Sequence, residues 1–161
     1  SPRVGRRGKF KVAGRSRRFI HQHELTTRMI SFGDLCQFLA TSNTYEDWTM
    51  ARLKRQFIKP MSLKQAMAFQ RDGRMVGFAT WAFVGDDILL ELLRGERAVA
   101  PSEWKSGENI FFADFIAPYG DTPWMAMQLR AKFGDELGKG VRGHYYRRER
   151  GRAGHVRAKV S

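Results

Sequence analysis

The sequence predicts a small α+β domain in which helices flank a mixed or antiparallel central sheet. Three observations indicate this class: a pair of β-rich runs around Asp72-Gly73, a nearly apolar run at 108–117, and apolar residues at helical spacing on either side of them. The chain has 161 residues, of which 42% are hydrophobic. This length fits a single domain with a buried core.

Two helices are predicted ahead of the sheet. In residues 30–41, Leu35, Phe38 and Leu39 share one face at i, i+3 and i+4. A second helix is predicted over 48–57. We expect Pro60 to limit it, because proline lacks an N–H and its ring clashes with the preceding turn.

The clearest hairpin covers residues 66–83, since Asp72-Gly73 is typical of a type I′ turn. The secondary structure of residues 86–100 is ambiguous. A short helix ended by Gly95 is one option, because the leucines have helical spacing. Residues 108–117 predict a buried central strand that stops at Pro118.

A final helix is predicted with Thr122 as N-cap and Pro123 at its first position. Its apolar stripe is expected to pass through Trp124, Met127 and Phe133.

The net charge of +13 is unevenly distributed. Residues 1–18 hold eight Lys/Arg and no acid, residues 139–161 hold eight Lys/Arg and one acid, and residues 19–138 hold 13 basic and 15 acidic residues. We therefore expect a near-neutral domain, residues 28–142, between a basic N-terminal arm, residues 1–27, and a basic C-terminal arm, residues 143–161.

The arms are expected to bind a polyanion, either nucleic acid or an anionic membrane face. The candidate contacts are Arg6, Arg7, Arg17, Arg18, Arg147, Arg148, Arg150 and Arg152. Because the apolar periodicity ends before the arms, the trimmed chain 19–138 is expected to fold. A homodimer or a place in a larger complex stays open.

A single cysteine, Cys36, excludes an internal disulfide framework and any multi-cysteine metal site. It favours a reduced, cytoplasmic chain, with peripheral attachment to the membrane as an option for the arms. The basic stretch 1–18 lacks the apolar core of a secretory signal. His21 and His23 have no companion ligands nearby in sequence, so neither a metal nor a cofactor is expected.

The sequence contains no Walker A, G-x-S-x-G or H-E-x-x-H signature. One acidic residue nevertheless stands out, because Asp114 is the one charge within "FFADFIAPY", residues 111–119. A carboxylate in such surroundings is costly unless it is paired, hydrogen-bonded or protonated. Two interpretations stay open: a catalytic acid, or a structural one that bonds backbone N–H groups or an arginine such as Arg142. Asp121 is expected in a turn that leads into a helix.

Several segments together resemble the RTX toxin-activating lysine acyltransferases. They are "GDLCQFLATS" (33–42), Trp48, "DGRMVGFATWA" (72–82), "WKSGENIFFADFIAPYGD" (104–121) and "RAKFGDEL" (130–137). The W-x-S-G spacing ahead of the Asp114 block is long and specific, and the likeness covers roughly residues 30–142.

The resemblance implies an acetyltransferase-like (GNAT-like) α/β domain whose central sheet splays to admit an acyl chain. It implies transfer of a fatty acyl group from acyl-acyl carrier protein to a lysine of an RTX-type target protein. Asp114 matches the family's aspartate, which would orient the base or polarise the amine. Trp104, Gly107 and Arg142 are expected to bind substrate, with Gly107 permitting close approach of the donor to the backbone.

The family's Ser-x-x-His element, three residues before a tryptophan, corresponds here to Ser42 through Tyr45. Tyr45 therefore occupies the family's catalytic histidine position. A tyrosine with its ordinary pKa of about 10 is a poor base at pH 7, although it can donate a hydrogen bond to an oxyanion. The alternative is a catalytically inactive member that serves as a binding or structural subunit of a membrane-associated or ribonucleoprotein assembly.

Overall fold

Helices and one sheet make up the structure, a computed structural model that describes residues 31–138, 140–147 and 152–157. The helices are α1, Phe32–Leu39; α2, formed by the consecutive segments Met50–Leu53, Lys54–Ile58 and Lys59–Ser62; α3, Asp86–Leu93; and α4, Thr122–Leu137. The strands are β1, Ala66–Arg71; β2, Arg74–Val84; β3, Asn109–Ile116; β4, Arg142–Arg147; and β5, Arg152–Arg157. The predicted mixed α and β class is confirmed.

Within the described residues, the five strands form one mixed sheet in the order β1-β2-β3-β4-β5. Neighbouring strands are antiparallel except β3 and β4, which are parallel. The predicted hairpin is confirmed, and Asp72 and Gly73 have φ values of 53° and 77°, as a type I′ turn requires.

Helix α1 begins at a capping box. The Ser31 hydroxyl accepts a hydrogen bond from the Asp34 N–H, and the Asp34 carboxylate accepts one from the Ser31 N–H. The predicted face is confirmed, since Leu35, Phe38 and Leu39 are all buried.

The prediction that Pro60 limits the second helix is wrong, because α2 continues to Ser62. A π-helical turn at Lys54–Ile58 precedes the proline, and Pro60 lies in the first turn of the segment that follows. At such a position the missing N–H of proline is tolerated. The hydrogen-bonding pattern changes from π-helical to α-helical there, and the helix continues.

The beginning and the face of α4 also differ from the prediction. The N-cap is Asp121, one residue before Thr122, and Met127 is exposed. Phe133 is buried as predicted and Trp124 is half-buried, whereas the other buried residues of the helix are Met125 and Leu129. Met125 takes that place because Gly77 on β2 has no side chain where the methionine packs.

The predicted end of the folded domain at residue 142 is wrong. Residues 142–147 and 152–157 are strands of the central sheet, so the segment called the C-terminal arm contributes two of its strands. The expectation that residues 19–138 fold alone depended on that boundary and no longer holds. The N-terminal arm, residues 1–27, lies outside the described residues.

Buried side chains lie on both faces of the sheet. One cluster joins α4 to the sheet through Trp81, Ile110, Met125, Leu129 and Phe133. On the opposite face, α1 and α2 pack on Phe78 and Ile116, and α3 packs on Val84 and Phe111. In the described part of the chain, no helix is long and apolar enough to cross a bilayer.

Candidate functional site

A cavity of about 770 Å³ lies where strands β3 and β4 stop pairing. The two strands pair only from Ile110–Gly143 to Phe112–Tyr145, although β3 continues to Ile116 and β4 to Arg147. The wall consists of Ser42, Thr44, Tyr45, Ile110, Phe112, Ala113, Phe115, Ile116, Ala117, Pro118, Thr122, Pro123, Ala126, Leu129, Arg130, Phe133, Val141, Gly143, Tyr145 and Tyr146. The sheet therefore splays at its one parallel pair of strands.

The wall combines apolar side chains with a substantial share of polar surface. Among the wall residues that the structure describes, Arg130 is the one charged side chain, and three tyrosines and three hydroxyl residues supply the other polar side chains. The volume falls within the roughly 300–1,000 Å³ typical of small-molecule sites. Such a cavity can bury an apolar chain and present hydroxyl groups to a polar end.

The cavity reaches both faces of the sheet. Leu129 and Phe133 belong to the core under α4, whereas Tyr45 packs on the core under α1 and α2. A molecule in the splay could therefore meet different groups at its two ends.

Two glycines, one on β4 and one after α3, leave room for aromatic rings of the cavity wall. The ring of Phe112 occupies the space that a Cβ at Gly143 would need. The ring of Tyr146 occupies the corresponding space at Gly95, after α3. Both aromatic rings also line the cavity, so these close approaches help to define its width.

Ser42 and Tyr45, predicted to line the site, both lie in the cavity wall. Ser42 is the N-cap of a 3₁₀ turn at Asn43–Tyr45, where its Oγ accepts a hydrogen bond from the Thr44 N–H at 3.4 Å. The half-buried Tyr45 ring meets the rings of Trp48 and Phe57 edge-on, with centroids 4.9 and 5.8 Å apart. This packing holds Tyr45 at the wall.

Asp114 lies beside the cavity on β3, and its chain neighbours Ala113 and Phe115 are wall residues. In the ladder with β2, Thr80 pairs with Asp114 and Trp81 pairs with Phe112, which leaves Ala113 as the extra residue of a β-bulge. Because side chains alternate along a strand, this bulge turns Asp114 to the same face as Thr80. Tyr45 packs on that face as well, so the local sheet geometry favours a shared site.

The structure does not bring the three predicted substrate-binding residues into the cavity wall. Trp104 is buried in the core under α3, and Gly107 packs against the backbone of Val84 and Gly85. Arg142 is exposed at the beginning of β4, at the other end of the β3–β4 pair from Asp114.

The W-x-S-G segment instead covers an edge of β2. The Phe83 N–H donates to the Trp104 carbonyl at 2.9 Å, and the Ser106 and Gly107 N–H groups donate to the Phe83 carbonyl at 2.7 and 3.0 Å. A strand edge needs such partners, and this part of β2 extends beyond its pairing with β1. The spacing therefore has a structural explanation in this chain.

Most of the predicted polyanion contacts belong to segments outside the described residues. Arg6, Arg7, Arg17, Arg18, Arg148 and Arg150 lie outside the described residues, as do His21 and His23. Arg147 is the last residue of β4 and Arg152 the first of β5. Within the described ranges, no three His, Cys, Asp or Glu side chains come together as a metal site.

Three wall residues were not predicted from the sequence: Arg130, Tyr145 and Tyr146. The two tyrosines were assigned to a basic arm because arginines dominate residues 139–161. The alternation of Val141, Gly143 and Tyr145 with polar residues was the available signal for a strand.

Comparison with known proteins gives the family. A family model described as the RTX toxin acyltransferase family matches residues 24–159. The chain belongs to this family, and the resemblance noted in the sequence is confirmed.

Individual relatives are more distant. The lysine-acyltransferase RtxC of Vibrio cholerae is 32% identical over 92 residues, which cover 56% of this chain and 60% of that protein. The protein-lysine myristoyltransferase HlyC of Escherichia coli is 26% identical over 110 residues, 68% of this chain and 65% of that protein. An uncharacterized protein of Synechocystis is 26% identical over 113 residues and is covered to 77%. The match thus spans less than two thirds of the RtxC and HlyC proteins.

Proposed function

We propose that this chain transfers a fatty acyl group from acyl-acyl carrier protein to a lysine ε-amine of an RTX-type target protein. The observation that carries the proposal is the cavity at the β3–β4 splay, which offers apolar side chains for an acyl chain, with Tyr45 in its wall and Asp114 beside it. The lysine-acyltransferase names of the relatives support the same reaction.

The cavity suits both parts of an acylated pantetheine group of the carrier protein, the acyl chain and the amide-containing pantetheine. Each CH₂ group that leaves water for the apolar side chains of the wall contributes about 0.8 kcal/mol of binding free energy. Where β3 is no longer paired with β4, its backbone can accept and donate hydrogen bonds as an open strand edge does. Amide groups of the pantetheine would bind at this strand edge while the acyl chain enters the cavity.

The reaction needs a neutral lysine amine, because an ammonium has no lone pair for attack. The amine nitrogen forms a bond to the thioester carbonyl carbon, the C–S bond breaks, and the proton lost by nitrogen balances the one gained by the leaving thiolate. In this scheme Asp114 accepts a hydrogen bond from the amine and orients it. The Tyr45 hydroxyl donates to the oxyanion that forms at the carbonyl.

A basic face of α2 supports an acidic carrier protein as donor. No acid occurs between Asp47 and Asp72, and four exposed basic residues lie on α2 or directly after it: Lys54, Arg55, Lys59 and Lys64. None of the four forms an ion pair with the described part of the chain. Since Phe57 of α2 packs on Tyr45, helix α2 lies next to the Ser42–Tyr45 side of the cavity, and a carrier protein docked on its exposed basic residues would be near that side.

The tyrosine at position 45 favours a second function, that of an inactive family member acting as a binding subunit. A base at this position would have to take the amine proton, which a phenol does poorly at pH 7. Retained fold and cavity would then serve binding alone.

An acyl-transfer assay tests the proposal, using labelled acyl-acyl carrier protein and an RTX-type acceptor. Asp114→Asn should lower the rate about 100-fold or more, the usual contribution of a positioned acid or base. Tyr45→Phe should lower it by about 10–100-fold through loss of the oxyanion donor. Asp135→Asn and Tyr119→Phe, at exposed positions outside the cavity wall, are the matched controls and should keep the rate.

The outcomes separate the two functions. Transfer by the wild-type chain that Asp114→Asn abolishes supports the enzyme. Transfer that appears only in Tyr45→His identifies an inactive member. If neither protein transfers any acyl chain tested, the proposed reaction is rejected.

A further inference from the structure

Thr80 is a buried polar residue that the fold alone does not explain. Its side chain is 0% exposed, and its Oγ1 has no hydrogen-bond partner in the structure as described. The neighbours on the same face of β2, Phe78 and Ala82, are apolar and buried. Buried hydroxyl groups almost always have a partner, since an unsatisfied one destabilises the folded state. Valine has nearly the same shape and would avoid that cost.

The bulge at Ala113 places this hydroxyl opposite a carboxylate. Thr80 and Asp114 are direct partners in the β2–β3 ladder and point to the same face. Directly opposite residues in an antiparallel pair have Cβ atoms about 4.5–5.5 Å apart. Without the extra residue, the position opposite Thr80 would be occupied by Ala113, and Asp114 would point to the other face.

We propose that Thr80 is a positioning residue whose hydroxyl donates a hydrogen bond to the Asp114 carboxylate when an acyl donor fills the cavity. An apolar chain beside the half-buried Asp114 excludes water from its surroundings, which makes a protein donor more favourable. The Thr80 hydrogen bond then fixes the orientation in which the Asp114 carboxylate accepts a hydrogen bond from the lysine amine. This inference rests on the proposed acyl transfer.

Thr80→Val is the decisive variant because it removes the hydroxyl and keeps the shape. The melting temperature should stay the same or rise, since an unsatisfied buried hydroxyl is lost. The kcat should fall about tenfold or more, with less than a twofold change in KM for the acyl donor. Thr80→Ser keeps the hydroxyl, so its kcat should lie within about threefold of the wild-type value.

A control tests the cost of a hydroxyl on this face. Val84 is also 0% exposed on the same face of β2 but lies opposite Asn109. Val84→Thr should lower the melting temperature. Wild-type kcat in Thr80→Val would overturn the inference. It is also overturned if kcat and melting temperature fall together and Thr80→Ser rescues neither.

A binding measurement keeps the inference testable if no turnover is found. A non-reactive acyl-pantetheine amide is bound to the protein, and the Asp114 carboxyl carbon is titrated by NMR. In the bound state the pKa of Asp114 should be lower in the wild type than in Thr80→Val, because the Thr80 donor favours the charged carboxylate while the acyl chain desolvates it equally in both proteins. Tyr45, His144 and Tyr146 share this face and are unchanged in the variant. Equal midpoints in both proteins would overturn the inference.

Discussion

Gly95 shows how one residue can serve both the backbone and the cavity. Its φ of 71° is left-handed, and the Tyr146 ring fills the space where a Cβ would be. Gly73 has a similar φ of 77°, but nothing lies within 4 Å of its Cβ position. An alanine at Gly73 would therefore meet backbone strain alone, whereas an alanine at Gly95 would meet backbone strain and overlap with Tyr146.

We predict that Gly95→Ala destabilises the protein more than Gly73→Ala. The turn variant should lose about 1–2 kcal/mol of unfolding free energy, the usual cost of a left-handed alanine. Gly95→Ala must also displace Tyr146, which should raise its loss to about 3 kcal/mol or more. Urea denaturation measures both values, and equal losses would show that Tyr146 moves aside at no cost.

The segment after α3 is held by one arginine. Arg97 donates to both carboxylate oxygens of Glu103, at 2.7 and 2.9 Å, and to Glu91 at 2.9 Å. Glu103 also accepts a hydrogen bond from the Ala100 N–H at 2.9 Å. The hydrogen bonds from Arg97 hold the pKa of Glu103 below its ordinary value. This network connects α3 to the turn that precedes Trp104.

We predict that Glu103→Gln destabilises the protein by about 1–2 kcal/mol at pH 7. Because the folded pKa of Glu103 lies below the unfolded value of about 4.3, its stabilisation is complete above that value and is lost as pH falls through the folded pKa. The difference in melting temperature between wild type and variant should therefore narrow as pH falls below about 4.3. Glu108→Gln, at an exposed position, is the control, and a pH-independent difference would contradict the prediction.

The basic face of α2 gives a second prediction for an element. Replacing Lys54, Arg55 and Lys59 by Glu should raise the KM for acyl-acyl carrier protein by about tenfold and weaken its salt dependence, because favourable charge steering is removed. The KM for a free acyl-pantetheine donor and the melting temperature should not change. Arg94→Glu, exposed after α3, is the control. An unchanged carrier KM would exclude docking on α2.

At the scale of the whole molecule, the folded unit extends into the basic C-terminal segment. Strand β4 pairs with the central strand β3, and β5 pairs with β4. The cavity also takes part of its wall from β4. The two basic ends of the chain are therefore not equivalent.

We predict opposite results for deletions at these two ends. Deleting residues 139–161 removes β4 and β5 and should abolish cooperative thermal unfolding, because β3 loses its neighbour. Deleting residues 1–18 should preserve the melting temperature.

The N-terminal deletion should also weaken binding to a single-stranded oligonucleotide or to phosphatidylserine vesicles. Each lost phosphate contact should reduce the slope of log affinity against log salt by about 0.7–0.9 for nucleic acid. The same slope with and without residues 1–18 would reject the polyanion function of the N-terminal arm.

Local signals account for the elements that could be predicted. The Asp72-Gly73 turn, the capped face of α1 and the apolar run of β3 depend on residues close in sequence. The prediction that Pro60 limits the helix was wrong because the π-helical turn at Lys54–Ile58 allows a residue without an N–H at that position. Strands β4 and β5 were missed because arginine-rich composition concealed a two-residue alternation.

The sequence by itself determined the hairpin, the central strand, the family resemblance, and Ser42, Tyr45 and Asp114 as candidate site residues. Only the tertiary structure decided where the cavity lies and which residues form its wall. Turns and helix caps follow from neighbouring residues, whereas a cavity follows from the register of strands far apart in the chain. The β3–β4 splay and the Ala113 bulge set that register, and the bulge turns Asp114 to the face of Thr80.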